Sequence, residues 1–350
     1  MERIFVINPG STSTKLAVFE DEKLVHEKSI TYSGDVIAGF GSFEDQYEMR
    51  KRDILGYLGE IGLKPTDISA IAARGSGFGP MKAGAYAIDE KLEAACRSMV
   101  RHVSYLATVI SYELIREFAI KGYIYDCQTA VTMEDYVRLS GVPQIERRAG
   151  GHVLNSRAAA RKAAEEAGLR YEDNVYIVAH LGGGCSVSLH KNGQLIDVLG
   201  GDEGAFTPER AGRLPMRAFT KMCFSGKYSE AEVNKFFTGR GGLVAYLGTN
   251  DAREVERRVQ AGDETAGTVF KAMAYQITKD IGALYAVAPE EVKGIVLTGG
   301  LAHSDTLMCP VIDRVKHLAP VYRYPGTFEM EALAYGVLRV LRGVEQVQVL

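Results

Sequence analysis

The sequence predicts a duplicated α/β fold, two related halves that each open on a β–loop–β unit. Val178 to Leu189, VAHLGGGCSVSL, reads as a strand, three consecutive glycines and a second strand; a turn at Lys191-Asn192-Gly193 leads to a third, QLIDVLG. Ile4 to Phe19, IFVINPGSTSTKLAVF, shows the same pattern earlier in the chain, with the acidic turn Glu20-Asp21 and a third strand, KLVHEKSITY. Three glycines in a row remove every Cβ from one face of a turn, so backbone N–H groups can close on a polyanion. One such run is as often a plain tight turn. Two β–loop–β units point instead to a duplicated core, with a phosphate loop from each half and a nucleotide cleft between two domains, 1–150 and 151–350.

Length and composition agree. A chain of 350 residues is long for one domain, and 46% hydrophobic residues supply ample core. The 41 basic and 44 acidic residues nearly cancel, leaving −3, which argues against nucleic acid or an acidic membrane as partner. The five cysteines (96, 127, 185, 223 and 309) form no CxxC pair, and their odd number suggests reduced thiols in the cytoplasm. Cys185, inside the glycine run, reads either as reactive or as a small buried residue. The N-terminus enters a strand almost at once, so no signal peptide is expected. No apolar run approaches the ~18 residues needed to span a bilayer.

Taken in order, Phe43 to Ile61 has charge-rich helical spacing closed by Gly62 and Pro65. Ile68 to Arg74 is a buried strand ending at an arginine, followed by GSGFGP. Leu92 to Arg97 and Tyr105 to Phe118 are helical, the second with apolar positions Leu106, Val109, Ile110, Leu114 and Ile115. Tyr123 to Asp126 is a short strand ending at an aspartate. The first half is thus βββ-α-β-α-β, with Arg74 and Asp126 at the strand edge where open α/β sheets bind ligands. The polar QIERRAGGH leads into a crossover helix, Asn155 to Ala167. After the second meander, Gly200 to Met216 lacks periodicity, as expected of an ordered, site-forming loop. Helices follow at Ser229 to Phe237, Ala252 to Gln260 and Glu264 to Val287. Lys293 to Thr298 is a strand leading into Gly299-Gly300; a helix, a strand (Val321 to Tyr324) and a closing helix from Glu329 complete a second half of βββ-α-β-α-β-α.

The residues at the two loops carry alternatives. Asn8, Ser11, Thr12, Ser13 and Lys15 offer an amide, hydroxyls and an ammonium beside one glycine. The loop runs into a strand, so a GxxxxGK(S/T) phosphate loop is excluded. Lys15 is either a solvated strand residue or a phosphate ligand. Asp126 and Glu329 are surface acids or helix caps taken singly; across a cleft they could hold Mg²⁺ through waters. His152 beside Gly150-Gly151 has a structural alternative, and Arg74 a plain salt bridge.

A resemblance sharpens these alternatives. NPGSTSTK, the ARG of Arg74, YDCQTA, HLGGG, FTPER, GTNDAR, VLTGGLAH and PGTFEMEALA occur in one order over essentially the whole chain. Together they resemble the acetate and butyrate kinase family, of the actin-like (ribonuclease H-like) superfamily whose domains are duplicated βββαβαβα units. HLGGG in place of HLGNG, with MCFSGK, GGLVAYLGT and MAYQI, is similar to butyrate and branched-chain fatty acid kinases. The resemblance implies ATP/ADP and Mg²⁺, a small carboxylate substrate, a homodimer or higher homo-oligomer joined through the second half, and a cytoplasmic enzyme. It implies magnesium-site roles for Asn8 and Glu329, and nucleotide contacts for Lys15, His180, Gly182, Gly183, Gly184, Asp251, Arg253, Gly299, Gly300, Leu301 and His303. Ser11 and Thr12 fall with the phosphate loop. Arg74 matches the carboxylate-binding arginine, Asp126 the catalytic aspartate, His152 the histidine that steadies the transferred phosphoryl, His102 another cleft histidine and Pro208 a wall of the acyl pocket. The family's second arginine lies in a GTRSG-like segment absent here, so its role falls to Arg210 or Arg213, with Arg210 preferred. A polar cluster after the histidine is replaced by VLNS.

The chemistry fits these residues. A carboxylate is anionic at neutral pH, so attack on phosphorus needs positioning and charge neutralisation rather than a strong base. Acetate or propionate kinase and a sugar kinase are the enzyme alternatives; a sugar kinase needs an aspartate base near a hydroxyl. A non-enzymatic actin-like nucleotide switch is the alternative of another class.

Overall fold

The computed structural model describes residues 1–77, 81–98, 103–148 and 150–349. By contacts the chain divides into two compact units, Met1–Ala130 with Phe328–Leu350, and Val131–Thr327. Residues 131–150 fall within the second unit, and the closing helix falls within the first.

The first unit is built on six strands: β1 (Arg3–Pro9), β2 (Ser13–Glu20), β3 (Lys23–Thr31), β4 (Ala70–Arg74), β5 (Ala85–Ala87) and β6 (Lys121–Tyr125), in the order β3-β2-β1-β4-β6-β5. The run IFVI in β1 is fully buried, as a central strand covered on both faces requires. β3, at one edge, is mostly exposed and charged, which discourages pairing with another chain. The helices Tyr105–Phe118 and Glu329–Leu341 pack on the β1–β4–β6 region. β1, β4 and β6 run parallel, with Ile7 opposite Ala73 and Arg74 opposite Tyr125. Their C-terminal ends therefore carry Asn8, Arg74 and Asp126 to one edge of the sheet.

The second unit repeats the plan with β7 (Val175–Leu181), β8 (Cys185–Lys191), β9 (Gln194–Gly200), β10 (Val292–Gly299) and β11 (Val321–Pro325). Its order, β11-β10-β7-β8-β9, has the same meander-plus-parallel arrangement as the first five strands of the other sheet, so the duplication is visible in topology. The helix Val153–Glu166 packs on β7 and β10, and the helix Glu264–Ala286 on β7 and β8. Here β7, β10 and β11 are parallel and deliver the loops after Leu181, Gly299 and Pro325 to one edge. Two features differ from the expected order. The short β5 pairs antiparallel with β6, and the second unit adds short helices at Met216–Cys223 and Gly242–Leu247.

His190 on β8 is fully buried; its Nδ1 lies 2.7 Å from the Tyr171 hydroxyl and its Nε2 2.7 Å from Ser188 Oγ. Burial, with Arg157 and Arg161 adding to it, pushes the imidazole down to about 3 from its ordinary 6.5. Below pH 6.5 the unfolded chain takes up a proton that the folded chain refuses until about pH 3. This group therefore lowers stability as pH falls through that window, by up to about 1.4 kcal/mol per pH unit, and has no such effect above it. His190→Gln is expected to flatten the pH dependence of Tm between pH 6.5 and 5. An unchanged slope would exclude His190 as its source.

Candidate active site

In the first unit two of the strand-end residues, Asn8 and Arg74, converge on one carboxylate. Glu329 opens the helix Glu329–Leu341, where the helix dipole favours an anion. Its Oε2 accepts a 2.9 Å hydrogen bond from Asn8 Nδ2, and its Oε1 lies 3.2 Å from Arg74 Nη1, with both ion-pair side chains about four-fifths buried. Asp126, just past β6, is buried and holds φ +48°, an unusual backbone state for a non-glycine residue. Its Oδ1 accepts from Gly84 N at 2.9 Å while its own N–H donates to Gly84 O at 3.1 Å, so the residue just before β5 holds it twice. The preceding Tyr125 is fixed too. Arg339 donates to its hydroxyl at 2.7 Å, and that hydroxyl contacts Glu345 at 2.8 Å. Gly336 leaves space for the ring, since a Cβ there would come within 2.6 Å of it.

Ser11 and Thr12 form the exposed turn between β1 and β2, and Lys15 is exposed on β2 opposite Asn8. Among the described residues no group of three or more His, Cys, Asp or Glu side chains could hold a metal by itself. The oxygen donors of Glu329, Asn8 and Asp126 suit a hard cation. They fit Mg²⁺ carried largely by water and nucleotide phosphates, the usual habit of this ion, rather than an all-protein cage.

In the second unit the loop Gly182–Gly184 closes between β7 and β8, Gly182 N–H donating to Gly184 O at 3.0 Å. None of the three has a positive φ, and only at Gly184 would a Cβ crowd a neighbour. A Cβ on Gly184 would stand 2.8 Å from Arg210 Nη1, and one on Gly182 3.5 Å from His180 Nε2. Two imidazoles, His152 and His180, lie tilted against each other at the end of β7, with ring centroids 4.2 Å apart. His152 caps the helix Val153–Glu166, its Nδ1 accepting from Asn155 N at 3.4 Å. Asn155, fully buried, sets the tautomer of His180. Thr298 Oγ1 donates to Gly326 O at 3.2 Å and so must accept from Asn155 Nδ2, also at 3.2 Å. The same amide nitrogen lies 2.9 Å from His180 Nδ1, which is then an acceptor, leaving the proton on Nε2, the nitrogen nearer the glycine loop. Asn155 sits in the VLNS segment that sequence reading marked only as a departure; a polar residue on the apolar face of an alanine-rich helix was the available signal.

The FTPER segment braces the loop from the other side. Thr207 Oγ1 donates to Gly183 O at 2.6 Å and accepts from Arg210 N at 3.1 Å. Arg210 Nε is buried with no hydrogen-bond partner, an orphaned donor beside a phosphate-type loop. Arg213 is committed elsewhere: it donates to Glu203 O at 2.9 Å and forms an ion pair with the buried Asp280, whose other oxygen accepts from Ala205 N at 2.7 Å. Burial outweighs the Arg213 guanidinium and raises the Asp280 pKa. Of the two arginines, Arg210 alone addresses the glycine loop. Gly241 and Gly242 let a helix abut FTPER; a Cβ on Gly242 (φ +59°) would lie 1.6 Å from Thr207 O. Pro208 is buried, its carbonyl accepting from Val244 N at 3.0 Å.

The remaining candidates lie around β10 and the helix Ala252–Gln260. Gly299 (φ +95°) would place a Cβ 2.3 Å from Leu181 O, so only glycine lets the ends of β7 and β10 meet this closely. Gly300 and His303 are exposed on the short turn that follows, and Leu301 is buried. Asp251 caps its helix, accepting from Arg253 N at 3.0 Å and pairing with the exposed Arg253 side chain, which holds the carboxyl below its ordinary range. Cys185 is buried, and burial pushes its thiol up to about 12, so the inert alternative holds. His102 lies outside the described residues.

The tautomer assignment is testable by ¹⁵N NMR of His180. The wild-type ring should report Nε2–H near neutral pH. In Asn155→Asp an acceptor replaces the donor at Nδ1, and the signal should shift toward Nδ1–H or the imidazolium. An unchanged tautomer would refute the role given to Asn155.

Comparisons with known proteins identify the family. A family model described as the acetokinase family matches residues 118–319. The chain is 44% identical over 348 residues to a protein named probable butyrate kinase 2 from Caldanaerobacter subterraneus subsp. tengcongensis, covering 99% of this chain and 98% of that one. It is 44% identical over 349 residues to a probable butyrate kinase from Thermotoga petrophila, with 99% and 98% covered. The crystal structure of Porphyromonas gingivalis acetate kinase superposes at TM-score 0.81 and 20% identity, over 97% of this chain and 100% of its own, a likeness of fold. The chain therefore belongs to the acetokinase family and has the duplicated, actin-like fold of acetate kinase.

Proposed function

We propose that this protein is an ATP-dependent carboxylate kinase that transfers a phosphoryl group reversibly between ATP and butyrate or a branched short-chain acid. A carboxylate oxygen bonds to the γ-phosphorus as the β–γ bridging oxygen leaves with its electron pair; acyl phosphate and ADP form, and no proton need move. The observation that carries the reading is the Arg74–Glu329 pair, a guanidinium fork at a strand end already engaged with a carboxylate. The full-length 44% identity to proteins named as butyrate kinases supports the choice of acid.

In this reading Arg74 orients the acid and offsets anion–anion repulsion. Glu329 and Asn8 would hold Mg²⁺, with Asp126 organising its waters, and the ion would neutralise phosphate charge when bound. Ser11, Thr12 and Lys15 would be the phosphate contacts of the first unit and the Gly182–Gly184 loop those of the second, where His180 Nε2–H, His152 and Arg210 would supply donors for oxygens that gain charge during transfer. Gly299 to His303 and the Asp251–Arg253 cap border the nucleoside, and Pro208 the acyl chain. The five cysteines are free, in keeping with a cytoplasmic enzyme, and exposed Phe224, Tyr246 and Tyr275 on the second unit are in keeping with a homodimer or higher homo-oligomer. Among the described residues no helix is long and apolar enough to cross a membrane.

Purified protein with ATP and Mg²⁺ should form a hydroxylamine-trappable acyl phosphate. Each buried methylene adds about 0.8 kcal/mol, so butyrate or isobutyrate should exceed acetate in kcat/KM by roughly tenfold. An acetate or propionate optimum would move the protein to the corresponding kinase, hexose phosphorylation to a sugar kinase, and nucleotide binding without turnover to a switch.

Arg74→Lys keeps the charge but loses the planar fork. It should lower kcat/KM for the acid by about 10²-fold while leaving KM for ATP nearly unchanged. A lowered Tm with normal kinetics would make Arg74 a structural ion-pair residue.

A further inference from the structure

The residue that most constrains the β1–β2 turn lies outside it. Arg50, on the helix Tyr47–Glu60, is 0% exposed, and all three guanidinium nitrogens donate. Nη1 reaches Ser13 O at 3.0 Å and Thr14 Oγ1 at 2.7 Å. Nη2 reaches Gly10 O at 3.1 Å and Ser11 O at 3.3 Å, and both Nη2 and Nε hold Gln46 Oε1, at 2.9 and 3.1 Å. The Tyr32 ring covers the cation with its centroid 4.7 Å away.

Two consequences follow from this geometry. In a trans peptide the C=O and the next N–H point in opposite directions, and no peptide bond among the described residues is cis. Carbonyls of Gly10 and Ser11 drawn onto the guanidinium therefore turn the N–H groups of Ser11 and Thr12 the other way, and both residues are exposed. Successive N–H groups on one side of a turn make an anion-binding concavity. Moreover, no carboxylate pairs with Arg50 within 4 Å among the described residues; Asp53 acts on it only at longer range and is itself 3.5 Å from Arg52. A buried cation without a counter-charge is unfavourable unless an anion sits nearby.

We propose that Arg50 is a positioning residue for phosphoryl transfer: it gathers the turn's carbonyls behind the loop, so that Ser11 and Thr12 N–H groups and its own uncompensated charge face the transferred phosphate. The inference rests on the reading of the β1–β2 turn as a phosphate loop. It accounts for why this turn binds an anion without the glycine content of a phosphate loop, since the carbonyls are held back by a side chain instead.

The test compares Arg50→Lys, Gln46→Met and Lys15→Ala in the purified protein, using kcat, KM for ATP, KM for the acid and Tm. Lysine keeps the charge but cannot span the carbonyls as a fork. Arg50→Lys should lower kcat/KM for ATP 10- to 100-fold with KM for the acid within twofold of wild type. Gln46→Met, which removes only the acceptor steadying Nε and Nη2, should lower the same parameter 3- to 10-fold; it serves if Arg50→Lys does not fold. Unchanged kcat/KM for ATP in either folded variant, whatever its Tm, while Lys15→Ala is impaired, would overturn the role of Arg50 alone. If Lys15→Ala is also unimpaired, the phosphate-loop reading falls with it.

Discussion

Positive charge held against thin backbone is the constraint on which both loops of this protein rest. Phosphoryl transfer to a carboxylate brings anions together, and donors placed in advance need no rearrangement as charge develops. In the first unit the charge is Arg50, sealed behind the β1–β2 turn by carbonyls. In the second it is Arg210, fitted against Gly184 where any Cβ would crowd the guanidinium. The two solutions differ in composition. One turn keeps side chains and has its carbonyls tied down; the other discards side chains and lets the guanidinium close in.

The supports behind the second charge are mostly neutral side chains held by hydrogen bonds, which add few competing anions. Asn155 reads the amide of one helix into the tautomer of His180, and Thr298 fixes which end of that amide points where. Thr207 ties the FTPER segment to the Gly183 carbonyl. The one buried acid in this region, Asp280, is shared between Arg213 and the Ala205 amide, so it holds the segment in place instead of drawing Arg210 away. A buried polar network of this kind specifies one arrangement only if every member is satisfied. The unpartnered Arg210 Nε is thereby conspicuous as the atom left for something else.

Much of the fold was legible because the signals are local. Continuous apolar runs mark β1, β4 and β10; caps and glycines mark helix ends, and the helix opening at Glu329 was read to the residue. What could not be read depends on contacts distant in sequence. The closing helix looks like the end of the second repeat, yet its partners are β1, β4 and β6, and Glu329 meets Asn8 from 321 positions away. β5 is three residues long, and its pairing relies on Gly84 at φ +137°, a backbone state no pattern of hydrophobicity signals. Arg50 sits in YEMRKRDI, which reads only as part of a charge-rich helix; the tertiary structure reveals that this cation is buried.

The return of the closing helix to the first unit changes what the Arg74–Glu329 pair means. Asn8, Arg74 and Glu329 all lie within one compact unit, so their mutual geometry is set by a single sheet and the helix packed on it. With each Glu329 oxygen engaged by a different neighbour, the carboxylate is oriented before any substrate arrives. Arg74 meanwhile already makes a contact of the chemistry an incoming acid would offer, and exchanging one carboxylate for another leaves its own charge balanced. On the proposed role of Arg74, an acid would displace a contact of equal sign instead of meeting a bare cation. That role would give the acid moderate affinity and leave its orientation to the planar guanidinium.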